Sequence, residues 1–209
     1  MVKGTRTPAA TLESVRHSSV IGLLAVAVAI AVAVAACGPT SPTEAGGEET
    51  DPVALLSVLP SPGQLRGQPA APASPDQLQE ALTGAPDPEL AERVRERAPR
   101  ASGVRSWTGP GGQELVAAVS VWDSHLLATG IGADAAERLL ADGGASAWTP
   151  SDAPGSRGVR VEGEGGGARR LAFAIGPNSV YVRSEGPVPD DVVAKTMRRL
   201  VLTLEGEDG

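Results

Sequence analysis

The sequence predicts an α+β fold: an antiparallel sheet with helices packed on one face, its core ordered β-α-β-β-β-α and preceded by short helices. Three observations carry this. Apolar-rich runs of strand length recur at 114–122, 158–162, 169–175 and 179–184, the last three separated by glycine-containing turns. Helical periodicity marks the C-terminal end, where Val193, Met197, Leu200 and Leu204 recur at offsets of 0, 4, 7 and 11. The five aromatic residues, Trp107, Trp122, Trp148, Phe173 and Tyr181, all fall in this stretch, which places the densest packing there.

The elements follow in chain order. Asp51-Pro52 opens VALLSVL with a capping residue and a first-turn proline, a helix of one or two turns with a strand as the alternative. Residues 60–74 are rich in Pro, Gly, Ala and Ser and read as a loop. Ser74-Pro75-Asp76-Gln77 has the serine cap, proline and third-position glutamine of a helix start, and Gly84 ends that helix. Asp87-Pro88 starts a second, with Leu90, Val94 and Ala98 on one face; the interleaved Glu92, Arg93, Arg95, Glu96 and Arg97 read as a solvated face. Residues 114–122, ELVAAVSVW, form the first strand candidate, and 133–142 a helix closed by Gly143-Gly144. Residues 163–167 and 176–178 read as hairpin turns between the next three strands. The last helix begins around Pro189-Asp190-Asp191, with acids at its start and Arg198-Arg199 near its end, each sign complementing the helix dipole.

The N-terminus carries a different signal. Lys3, Arg6, Arg16 and His17 form a positive region ahead of 17 uncharged apolar residues, VIGLLAVAVAIAVAVAA, which lead straight to the one cysteine of the chain. Positive flank, apolar run and small-residue exit are the marks of a secretory signal. The sequence Val34-Ala35-Ala36-Cys37 resembles the lipobox of bacterial lipoproteins. That resemblance implies diacylglycerol on the Cys37 thiol, cleavage between Ala36 and Cys37, and attachment to the outer face of the cytoplasmic membrane. An uncleaved spanning anchor is the alternative, since the run reaches the lower length limit for a transmembrane helix. The organisation expected is a signal peptide at 1–36, lipidated Cys37 with a flexible acidic tether to 51, and one extracytoplasmic domain at 52–209. Within it, 52–103 reads as a helical and looped N-terminal part and 104–204 as the main core, a layout similar to small extracytoplasmic domains of actinobacterial lipoproteins. The arginine-over-lysine bias, with Lys3 and Lys195 the two lysines, points to a high-GC coding origin.

Composition excludes some functions. Without residues 1–36 the chain holds 15 basic and 24 acidic residues, a net charge of −9. Such a surface repels phosphates as a whole, so nucleic acid is not an expected partner and anionic lipid is disfavoured. One cysteine makes no intrachain disulfide, so packing alone must hold the domain. One mature histidine and a lipid-bearing cysteine leave too few ligands for zinc, and no cofactor is expected.

Three patterns bear on chemistry. Gly130-Ile131-Gly132-Ala133-Asp134-Ala135 matches G-x-G-x-x-A, but the hairpin order lacks the β-α crossovers that a dinucleotide site needs; a helix-entry turn is the plainer reading. Asp123-Ser124-His125 holds three triad residue types in adjacent positions, where they cannot converge. Any histidine-based hydrolase would have to use His125 with a distant acid or serine. Trp107, Trp122 and Trp148 either fill the core or line a carbohydrate or peptide surface. The expected function is a non-enzymatic binding or sensor-like domain, anchored through Cys37, that meets an envelope protein or small ligand. The alternatives are an accessory subunit of an envelope complex and a small envelope hydrolase.

Overall fold

The computed structural model describes residues 50–141, 144–163 and 167–206. Cys37, the signal-type segment and the acidic tether up to 49 lie outside the described residues, as does the centre of the 163–167 turn.

Local chemistry starts the N-terminal helices. Asp51 caps α1 (Pro52–Ser57), its carboxylate accepting from the Val53 and Ala54 amides at 2.9 and 3.2 Å. Two short strands follow, β1 (Arg66–Gly67) and β2 (Ala71–Pro72). Ser74 and Gln77 close a reciprocal capping box on α2 (Pro75–Thr83), which ends at Gly84 with φ +83. Asp87 caps α3 (Pro88–Arg97) through the Leu90 amide at 3.0 Å.

The same Asp87 carboxylate takes Arg138 at 2.9 Å. The Leu90 hydrogen bond leads the causes that hold its pKa below the ordinary carboxylate value, with Arg138 adding to it against partial desolvation. A depressed folded-state pKa stabilises the fold above the unfolded value, about 3.9, and that contribution disappears as pH falls through the folded value. Asp87→Ala is therefore expected to lower stability by about 1 kcal/mol at neutral pH. The deficit should vanish in denaturant titrations at the acid end, below the folded-state pKa.

The remaining elements are β3 (Ala101–Thr108), β4 (Glu114–Val121), α4 (His125–Ala141), β5 (Ala145–Trp148), β6 (Arg157–Val161), β7 (Ala168–Ile175), β8 (Asn178–Glu185) and α5 (Asp190–Glu205). The strands form one antiparallel eight-stranded sheet in the order β1-β3-β4-β8-β7-β6-β5, with β2 also pairing β3. The α+β class and the antiparallel sheet are as expected. The β7–β8 hairpin pairs Ile175 with Asn178 across two residues, and the first of these, Gly176, has φ +52.

The helices cover both faces of the sheet, which corrects the one-face expectation. Leu115, Ala117 and Val119 of β4 and Val180 and Val182 of β8 join Leu56, Val193, Met197 and Leu200 in a cluster under α1 and α5. The alternate residues Val116, Ala118 and Tyr181 join Leu78, Leu90, Val94 and Ile131 under α2, α3 and α4. The cause is visible in β4, which is buried from Leu115 to Val121 and has no polar stripe to give to water. The core also does not begin at residue 104, because Leu56, Leu78, Leu90 and Val94 are fully buried in it.

β3 is a strand that its own residues do not announce. It pairs with β4 over eight residues, and Gly103 lets α1 lie against it: a Cβ there would crowd Pro52 at 3.1 Å. Arg105 completes the joint, donating to the Leu56, Ser57 and Leu59 carbonyls at 2.8, 3.1 and 2.7 Å and so satisfying the end of α1.

Candidate functional site

The three tryptophans do not form one surface. Trp107 and Trp122 are fully buried, on opposite faces of the sheet: Trp107 under α1 and α5, Trp122 under α2–α4 with its indole N–H on Ser179 Oγ at 2.6 Å. Trp148 is half-buried on β5, with the Arg160 guanidinium 5.5 Å from its ring centroid. Of the two readings of the tryptophans, core filling holds for Trp107 and Trp122, while Trp148 is a half-buried residue of the edge strand. Their separation follows from register, since Trp107 pairs with Leu115 while Trp122 lies just beyond β4.

Gly130 and Gly132 lie inside α4, so the G-x-G-x-x-A pattern is neither a phosphate loop nor a helix-entry turn. Their use is close packing. A Cβ on Gly132 would approach Ala172 Cβ to 3.0 Å and the Tyr181 ring to 3.5 Å. The helix therefore begins at His125, well before the expected residue 133, and Ser124 Oγ receives the Leu127 amide at 3.3 Å.

His125 is exposed at the N-terminus of α4. Its Nδ1 is 3.0 Å from the Gly176 carbonyl, which fixes Nδ1 as the protonated nitrogen, and Nε2 lies 3.4 Å from Thr129 Oγ1. The Thr129 hydroxyl donates to the His125 carbonyl at 2.8 Å, so its proton is engaged away from the imidazole. Among the described residues no carboxylate bonds the ring. The shallow cleft beside it, about 210 Å³, adds Arg157 and Phe173 but no nucleophile–base pair. Among the described residues no group of three or more His, Cys, Asp or Glu side chains has metal-ligand spacing.

A buried charge network lies at one end of the α2–α4 face. Arg170 and Arg183 sit directly opposite each other on β7 and β8, with side chains 10% and 9% exposed. Glu185 pairs with Arg170 and lies 3.5 Å from Arg183, which also bonds Glu114 at 3.1 Å. Arg170 further donates to the Ser184 and Thr83 carbonyls at 2.9 and 3.1 Å, tying the end of α2 to the sheet. Gly84 makes room for it, since a Cβ there would overlap the Arg170 guanidinium. Burial draws the Arg170 pKa down and Glu185 opposes that, so the ion pair is what keeps the charge tolerable. On the other face Asp190, at the start of α5, takes Arg160 and also Arg169, the latter at 2.7 Å. Arg170 is buried and Arg169 partly so, because both faces carry helices. Arg93 and Arg97 likewise reach Asp134 of α4 at 3.4 and 3.0 Å, so the α3 charge run is an interhelical contact and not only a solvated face.

A groove lies along α5. It measures about 640 Å³ and runs between the 59–63 turn and the helix. One wall is Leu59, Pro60 and Pro62; the other presents Val192, Thr196 and Leu202 with Lys195, Arg198 and Arg199. Helical spacing places these three cations on one side. Lys195 pairs with Asp191 at 2.9 Å, whereas Arg198 and Arg199 have no ion-pair partner among the described residues. Sequence reasoning read the two arginines only as dipole complements; the 195, 198, 199 spacing was the available signal.

No family model matches the chain, and no curated protein matches it. Among solved structures, it is similar to the extracellular domain of PknH from Mycobacterium tuberculosis, with 18% identity and a TM-score of 0.47, over 74% of this chain and 89% of that one. Among the described residues no helix is long and apolar enough to cross a membrane.

Proposed function

We propose that this chain is an extracytoplasmic lipoprotein, held to the membrane by diacylglycerol on Cys37, whose folded unit is a non-enzymatic binding or sensor-like domain. The observation that carries the reading is the uncharged 17-residue run ending in Val34-Ala35-Ala36-Cys37, with the first capped helix starting 15 residues after the cysteine. Two acyl chains on one terminus meet the two-signal requirement for stable attachment. The groove along α5 supports a binding role, being concave, part apolar and lined by Arg198 and Arg199, which have no ion pair among the described residues. The engaged proton of Thr129 and the carbonyl partner of His125 favour binding over hydrolysis.

Feeding an alkyne fatty acid to cells expressing the full chain tests the reading. The wild type is expected to take the label and migrate at the size left after loss of residues 1–36. Cys37→Ala should stay unlabelled at precursor size. Identical size and no label for both would establish the spanning anchor instead.

A further inference from the structure

We propose that the α5 groove is the face by which the folded unit docks onto the anionic headgroups of the membrane that carries its anchor, an inference that rests on the lipidation of Cys37. The first support is charge. The mature chain is acidic, at −9, and most of its arginines are held in ion pairs within the fold. Arg198 and Arg199 have no ion pair among the described residues, and neither do Arg66 and Arg157 elsewhere on the fold; of the acids along their side of α5, Asp191 is matched by Lys195 and Glu205 lies seven residues after Arg198. On an acidic surface, two adjacent arginines without ion pairs favour this side of α5 over the acidic remainder as the approach to an anionic bilayer.

The second support is where the apolar surface lies. Val58, at the end of α1, is 68% exposed and leads directly into Leu59 and Pro60 of the groove wall, opposite Leu202. Apolar residues flanked by arginines match the headgroup boundary, where cations meet phosphates and short side chains reach the acyl region.

The third is where the chain outside the fold arrives. It enters at Asp51, at the start of α1, and a helix of six residues spans about 9 Å, so the groove wall lies close to the point of attachment. The 13 residues from 38 to 50 reach at most about 45 Å in any conformation. A tether of that length keeps the unit at an effective concentration on the order of millimolar. Each cation near an anionic surface then adds about fivefold to the occupancy, and Arg198 and Arg199 supply two that no ion pair already matches.

Lys195 is the one lysine left after cleavage, which makes it a reporter built into the site. The lipidated chain is reconstituted in vesicles of phosphatidylcholine alone or with about one-third phosphatidylglycerol, and Lys195 acetylation is timed by peptide mass spectrometry. The expected result is severalfold slower acetylation on the anionic vesicles, relieved by about 0.5 M salt and by the double variant R198E/R199E. A second lysine placed on α4 by Glu137→Lys should react equally on both vesicle types. Equal Lys195 rates with the protein still floating with both vesicles overturn the docking and leave the anchor intact. Slowing of both lysines overturns it too, as a general surface-potential effect. Failure to float with either vesicle removes the anchor reading and the docking with it.

Discussion

Arg170→Ala is expected to lower the unfolding free energy by about 3–5 kcal/mol, the usual cost of removing one partner from a buried ion pair. The substitution leaves Glu185, itself partly exposed, beside Arg183 alone and strips the Thr83 and Ser184 carbonyls of a donor beside a buried guanidinium. It also frees the end of α2, whose Gly84 turn is shaped around the guanidinium. Urea unfolding followed by tryptophan fluorescence gives the value. Arg170→Met with Glu185→Leu should recover most of the loss, because an apolar pair of similar volume carries no desolvation cost. A single-variant loss below about 1 kcal/mol would instead mean that the pair behaves as a solvent-screened surface bridge.

Trp122→Ala is expected to cost about as much, 3–5 kcal/mol or roughly the range for a fully buried aromatic. Its indole fills the space between the sheet and the α2–α4 layer, and its N–H is the donor to Ser179 Oγ, itself fully buried. Trp122→Phe should keep most of the packing and lose about 1–2 kcal/mol through the missing donor. The contrast separates a core tryptophan from a ligand-lining one, for which truncation would leave stability nearly unchanged. Thermal unfolding of the two variants beside the wild type settles the difference.

Helix starts were legible because their chemistry is local. Asp51-Pro52, Ser74 with Gln77, and Asp87-Pro88 each hold the capping oxygen within three residues of the amide it receives. The β7–β8 hairpin was legible for the same reason, through Gly176-Pro177. What escaped was set by partners distant in sequence. β3 carries glycine, arginine and serine among its eight residues and is a strand because β4 pairs with it throughout. Sequence propensity predicts only 133–142 of α4, because Gly130 and Gly132 disfavour helix; the benefit of Gly132, approach to Ala172 and Tyr181, exists only once the sheet is present. The two-sided cover was hinted at by the unbroken apolar run of β4, which a half-exposed strand would not tolerate. Of the candidate site, the three cations of α5 could be placed on one side from spacing alone. The opposing wall of Leu59, Pro60 and Pro62 could not, since it comes from a loop more than 100 residues earlier.

That distribution of signals fits a fold held by packing and buried ion pairs, with the proposed recognition surface on a late helix and the proposed address at the far N-terminus. The address is the central claim, and the mass of the mature N-terminal peptide tests it most directly. Protein extracted by detergent from the membrane fraction should yield a peptide beginning at Cys37 and heavier than its sequence by a diacylglyceryl group. An unmodified Cys37 still joined to Ala36 and the preceding apolar run would contradict the account.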